Sequence, residues 1–115
     1  MSDNKEKLVV LWTSGDREVA LKMVFMYTIN AKLKGWWKDV TLIVWGPSTK
    51  LLSEDEELQN YIGAIKDSGV ELFSCRDCTD QYGVTEALEN LDIKVIYMGE
   101  PLTSNLKNDV KILTF

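Results

Sequence analysis

The sequence contains no histidine and only two cysteines, Cys75 and Cys78. Without an imidazole general base, neither Ser-His-Asp nor Cys-His hydrolysis can operate. Two thiols also fall short of a four-ligand zinc site, unless carboxylates or a second subunit supply the missing ligands. The sequence therefore predicts a protein with no metal ion and no other cofactor, and its two thiols are the candidate reactive groups.

Long apolar runs and an excess of basic residues are also missing. No apolar run is long enough to cross a bilayer, and the hydrophilic first residues do not resemble a secretory signal. With 13 Lys and Arg against 18 Asp and Glu, the net charge of −5 disfavours direct binding to nucleic acid. We expect a cytoplasmic protein with reduced thiols and without a membrane or nucleic-acid partner.

Five short apolar runs, rich in Val, Ile and aromatic residues, are typical of buried strands. They are residues 8–12, 40–45, 70–73, 93–98 and 110–114. Segments with helical character separate them, and this alternation predicts an α/β protein with a mostly parallel sheet. We expect residues 1–115 to form a single three-layer α/β/α domain with five strands, in which residues 1–7 are a flexible tail.

Capping signals locate the helices between these strands. Asp16 is a typical N-cap for a helix that continues to about residue 34. Ser53 and Glu56 have the spacing of a capping box for a second helix. A short helix after the cysteines is expected to end at Gly83.

The first predicted helix carries more apolar surface than one contact with a sheet requires. Besides a broad face directed at the sheet, Leu21, Phe25 and Ile29 form a separate stripe at i, i+4 and i+8, bordered by charged residues. Such a stripe favours a subunit interface. The alternatives are cover by a neighbouring loop or simple exposure.

Both cysteines lie where a predicted strand ends and a helix begins. The loops at the carboxyl ends of parallel strands meet at one edge of the sheet, where α/β proteins bind ligands. Small, hydroxyl-bearing and basic residues of these loops are the candidates for ligand binding: Ser14, Gly15, Gly46, Ser48 and Arg76. The same composition also suits short turns, and the loops contain neither a P-loop nor a dinucleotide fingerprint.

Several chemistries suit a pair of thiols at this position. A tyrosine-phosphatase loop requires an arginine six residues after its cysteine, where this chain has Gln81. Thiol–disulfide exchange and the carriage of persulfide sulfur remain, and Cys75 and Cys78 are close enough in sequence for a disulfide. The alternative is a purely structural role, in which both cysteines are small, inert core residues.

The segment Gly-Val-Glu-Leu-Phe-Ser-Cys-Arg-Asp-Cys-Thr-Asp-Gln-Tyr-Gly, residues 69–83, resembles the signature of the DsrE/DsrF-like family of small sulfur-relay proteins. The stretches 11–16, 45–52 and 109–115 are similar to that family too. The resemblance implies an α/β/α fold, a homo-oligomer (trimer or hexamer) and persulfide transfer between donor and acceptor proteins. It assigns the sulfur to Cys75 and matches Cys78 to a second cysteine of YchN-like relatives. The family's usual arginine before the glycine is replaced by Tyr82.

The resulting hypothesis is a cytoplasmic sulfur carrier, or sulfurtransferase, that passes persulfide sulfur through Cys75 with Cys78 as an assisting thiol. One alternative is a non-catalytic oligomeric module that binds a ligand or a protein. Another is a dithiol redox protein, although the flanking residues lack the aromatic-Cys-Gly-Pro-Cys pattern of such sites.

Overall fold

The computed structural model describes residues 3–115. Residues 1 and 2 of the predicted tail lie outside the described residues. The rest of that segment has regular structure: a 3-10 turn occupies Asp3–Glu6, and Lys7 already pairs with Asp39 as the first residue of a strand.

The five predicted strands form one sheet. They are β1 (Lys7–Trp12), β2 (Asp39–Val44), β3 (Glu71–Cys75), β4 (Lys94–Ile96) and β5 (Lys111–Thr114). The order in the sheet is β4-β3-β2-β1-β5, and every neighbouring pair is parallel. The predicted α/β fold class with a five-stranded sheet is confirmed, and the sheet is wholly rather than mostly parallel.

Helices connect the strands. They are α1 (Arg17–Val19), which continues through a π-helical turn (Ala20–Val24) into α2 (Phe25–Leu33), then α3 (Pro47–Glu54), α4 (Glu56–Asp67), α5 (Arg76–Tyr82), α6 (Thr85–Glu89) and α7 (Gly99–Lys107). Among residues 3–115, none of these helices combines the length and the apolar character that a bilayer crossing needs.

The two faces of the sheet are covered unequally. Alternate residues of the central strands, such as Leu8, Val10 and Trp12, face a large core that helices α2, α3, α4 and α6 complete. The opposite face carries a smaller cluster of buried residues: Val9, Ile43, Cys75, Met98 and Val110. Helix α7 lies over this second face but contributes no fully buried side chain. Cys75 therefore belongs to the thinner side of the molecule.

The predicted interface stripe on the first helix is part of this chain's own core. Phe25 is only 2% exposed, and its ring packs against Trp12 with a centroid distance of 5.1 Å. Leu21 and Ile29 are half-buried against the same core. A π-helical turn precedes Phe25, whose N–H bonds to the carbonyl of Ala20, five residues back. This extra residue rotates the following side chains relative to a regular α-helix.

The structure confirms some of the predicted helix-capping residues and contradicts others. Asp16 caps the first helix as predicted, because its carboxylate accepts from the N–H groups of residues 18 and 19. Gly83 ends α5 as predicted, with a φ of +72°. The predicted Ser53/Glu56 capping box is wrong: Ser53 lies in the last turn of α3, and Asp55 caps α4 by accepting from the N–H of Leu58.

Candidate functional site

The carboxyl ends of β1, β2 and β3 bring three loops together. The N–H of Ser48 donates to the carbonyl of Thr13 at 3.1 Å, which joins the start of α3 to the loop after β1. The N–H of Gly46 donates to the Sγ of Cys78 at 3.3 Å, which joins the loop after β2 to α5. The structure thus brings Gly46, a predicted site residue, into direct contact with one of the two thiols.

The two cysteines differ in accessibility. Cys75 is the last residue of β3 and the N-cap of α5, and it is 2% exposed. Cys78 lies one helical turn further on, packs against the apolar cluster that contains Cys75, and is only partly buried. Both cysteines are free thiols. Cys78 is therefore the thiol that meets solvent.

The surroundings of Cys78 favour its neutral form. Partial burial is the largest cause that raises the pKa of this thiol, and the nearby Cys75 thiol and Asp77 carboxylate raise it further. The hydrogen bond from the Gly46 N–H acts in the opposite direction and lowers the pKa. The net shift of the pKa is upward, so the fold favours the protonated thiol and directs one main-chain donor at its sulfur.

Arg76 follows Cys75 directly but is engaged elsewhere. Its guanidinium donates to the carbonyl of Val95 at 3.2 Å and lies 3.6 Å from the carboxylate of Glu89. These contacts tie α5 to β4 and α6. Arg76, predicted to bind substrate, has a structural role in this arrangement.

Ser48, another predicted ligand-binding residue, is fully buried. Its hydroxyl donates to the carbonyls of Trp12 at 2.6 Å and Trp45 at 3.0 Å. It also accepts from the N–H of Trp45 at 3.2 Å. Because these partners use its hydrogen-bonding capacity, Ser48 closes the ends of β1 and β2 and has no free surface for a ligand.

Ser14 and Gly15 lie at the open side of the same edge. The hydroxyl of Ser14 accepts from the N–H of Asp16 and so shapes the turn before α1. Gly15 is exposed and approaches the next loop closely, since a Cβ at this position would lie 3.2 Å from the Cβ of Pro47. These two residues form the margin of the site beside Gly46.

Two residues not predicted for the site accompany the thiols. Trp45 packs against the cluster that contains Cys75, and Ile96 pairs with Cys75 across the sheet while 41% exposed. Both belong to apolar runs that indicate strands, so only their position at the sheet edge distinguishes them from core residues. Within residues 3–115, no three Cys, Asp or Glu side chains are grouped so as to hold a metal ion.

The structure is similar to that of a conserved protein of unknown function, BT1422, from Bacteroides thetaiotaomicron. The two chains are 40% identical, the match covers 100% of this chain and 99% of the other, and the TM-score is 0.97. The chain belongs to the BT1422 family. No protein-family model and no curated protein matches the chain.

The chain is also similar to a more distant structure, that of the ychN protein from E. coli. This match has a TM-score of 0.75 and 17% identity, and it covers 96% of this chain and 99% of the other. At this identity the likeness shows a common fold alone. The chain thus has the YchN-like α/β fold that the sequence resemblance implied.

Proposed function

We propose that this protein is a sulfur carrier in which the pair Cys75 and Cys78 receives sulfane sulfur and passes it on. The observation that carries the proposal is the hydrogen bond from the Gly46 N–H to the sulfur of Cys78, beside a second free thiol. The net shift of the Cys78 pKa is upward, but this main-chain donor lowers it and would stabilise the thiolate once formed, which is the form that takes up and releases sulfur. The YchN-like fold and the DsrE/DsrF-like motif at residues 69–83 support the same chemistry.

The transfer conserves atoms and electrons. A cysteine thiolate attacks the outer sulfur of a donor persulfide, a new S–S bond forms as the donor's S–S bond breaks, and the donor leaves as a thiolate that takes up a proton. The carrier then holds a persulfide, whose outer sulfur an acceptor thiolate removes in the same way. The proposed partners are therefore a sulfur donor and a sulfur acceptor protein, and the proposed location is the cytoplasm, where thiols stay reduced.

We propose further that copies of this chain form a homo-oligomer through an exposed apolar surface on the first helix. Three exposed apolar side chains border a depression of about 220 Å³, and we call them the methionine surface. They are Met23, Met26 and Trp36, which are 51%, 53% and 54% exposed. Lys22 lies at the edge of this surface, and an exposed apolar patch with a polar margin is typical of a protein–protein contact.

Mass spectrometry after treatment with glutathione persulfide tests the carrier proposal. The wild-type protein is expected to gain one sulfur atom, about 32 Da, and a variant with both cysteines changed to Ala is expected to gain none. The dithiol redox alternative, favoured by the proximity of the two thiols, predicts the loss of two hydrogens and an internal disulfide. A wild-type protein that gains no sulfur, or a double variant that gains as much, contradicts the carrier function.

A further inference from the structure

The difference in burial between the two thiols bears on how sulfur reaches them. Cys75, the residue that the sequence resemblance assigns as the carrier, is 2% exposed and lies in the apolar cluster on the second face of the sheet. Its thiolate would have to displace the leaving thiol of a donor in line with the donor's S–S bond. A donor protein cannot bring a persulfide to a sulfur that this cluster and α5 enclose.

Cys78 has the access that Cys75 lacks. It is partly exposed, packs against the same cluster, and lies close enough to Cys75 for that thiol to affect its pKa. Its sulfur also accepts the hydrogen bond from the Gly46 N–H at 3.3 Å. An anionic sulfur formed at this position would keep that donor, whereas the side chain of Cys75, at the N-cap of α5, makes no capping hydrogen bond.

We propose that Cys78 is the entry thiol, which takes sulfur from the donor, and that Cys75 is the sheltered thiol to which Cys78 passes it. This inference rests on the proposed sulfur-carrier function and assigns the order of its two cysteines. In the second step the Cys75 thiolate attacks the outer sulfur of the Cys78 persulfide. The S–S bond to Cys78 breaks, the S–S bond to Cys75 forms, and the proton lost by Cys75 goes to the Cys78 thiolate.

The arrangement has a chemical consequence. A persulfide on a solvent-accessible cysteine is open to reduction by any small thiol, which would release the sulfur as sulfide. A persulfide on Cys75 would be enclosed by apolar side chains such as Ile43 and Met98. Transfer from Cys78 to Cys75 therefore protects the sulfur until an acceptor removes it through Cys78.

Peptide mapping of single variants tests this order. Wild type, Cys75→Ala and Cys78→Ala are treated briefly with glutathione persulfide, and the added sulfur is located by mass spectrometry. The Cys75→Ala variant is expected to take up sulfur on Cys78 and to keep it there, and the Cys78→Ala variant to take it up about tenfold more slowly or not at all. In wild type the sulfur should appear first on Cys78 and later on Cys75.

A second measurement needs no variant and no sulfur donor. Iodoacetamide is expected to alkylate Cys78 before Cys75 in the folded wild-type protein, and both at similar rates after unfolding in guanidinium. Cys75 labelled first, or a Cys78→Ala variant that loads Cys75 at the wild-type rate, overturns the proposed order but leaves the carrier function standing. A wild-type protein that takes up no sulfur, yet alkylates in the expected order, rejects the carrier function itself.

Discussion

At the scale of single residues, the site depends on opposing influences at one sulfur. Burial and two neighbouring groups raise the pKa of Cys78, and one main-chain N–H from Gly46 lowers it. Arg76, the basic residue that follows Cys75, is not directed at this thiol, because it contacts Val95 and Glu89 instead. We expect the thiol to be mostly protonated at neutral pH, so its reactivity should increase with pH.

This expectation can be measured on a variant with a single thiol. In Cys75→Ala, which keeps the burial that is the largest cause of the raised pKa of Cys78, the iodoacetamide rate should rise with pH to a higher midpoint than in the unfolded chain. The reason is the sign of the shift: a raised pKa means that less thiolate is present at any pH below it. The same variant unfolded in guanidinium is the control and should show the ordinary midpoint. A folded midpoint at or below the unfolded one contradicts the argument.

The position of the thiols was predictable from the sequence, but the roles of their neighbours were not. A strand followed by a helix start indicates a sheet edge, and Gly46 and Cys78 do meet there. The prediction for Arg76 and Ser48 rests on their residue types and on the loops that contain them, and neither reveals which carbonyls a side chain contacts. Arg76 donates to the carbonyl of Val95, and Ser48 donates to the carbonyl of Trp12. Both partners are distant in sequence and become neighbours only in the folded chain.

At the scale of secondary structure, Ser48 fixes the start of α3 to the ends of β1 and β2. We expect Ser48→Ala to lower the free energy of unfolding by about 1–3 kcal/mol, because the change removes the buried hydroxyl that donates to the carbonyls of Trp12 and Trp45 at the ends of two strands. Urea denaturation followed by circular dichroism measures this cost.

The control for Ser48→Ala is Ser53→Ala in the same helix. Ser53 is less buried, and its hydroxyl donates only to the carbonyl of Lys50, within its own helix. Its replacement should change the free energy of unfolding by less than about 0.5 kcal/mol. Equal costs for the two variants would show that the buried hydrogen bonds of Ser48 do not hold α3 in place.

Sequence patterns did not predict helix α3 or the π-helical turn. In both, the local backbone geometry produces no periodic pattern of apolar residues. Helix α3 begins at Pro47, directly after Gly46 with a φ of +71°. Because serine and threonine follow this glycine and proline, the first turn of the helix has the composition of a loop. The π-helical turn at Ala20–Val24 uses ordinary helix-forming residues, so only the hydrogen bond from the Phe25 N–H to the Ala20 carbonyl reveals it. The strands, whose burial is strongly patterned, were predicted to within one or two residues.

At the scale of the whole molecule, two surfaces are candidates for the contact between copies of the chain. The methionine surface lies on the first helix, whereas the second face of the sheet has a groove of about 480 Å³ under α7. The rim of that groove carries Lys7, Asp39 and Glu71, so it is more polar than the methionine surface. Burying it would remove charged side chains from water, and the methionine surface has the lower desolvation cost.

Two glutamate substitutions distinguish these surfaces. Met26→Glu is expected to shift the oligomer that light scattering detects towards the monomer, because it places a charge in an apolar contact. Leu106→Glu is the matched control, since Leu106 is 59% exposed on α7 and outside the methionine surface. Dissociation by Leu106→Glu but not by Met26→Glu would assign the contact to the exposed surface of α7. Phe25→Glu cannot make this test, because Phe25 is buried and its replacement would disrupt the core.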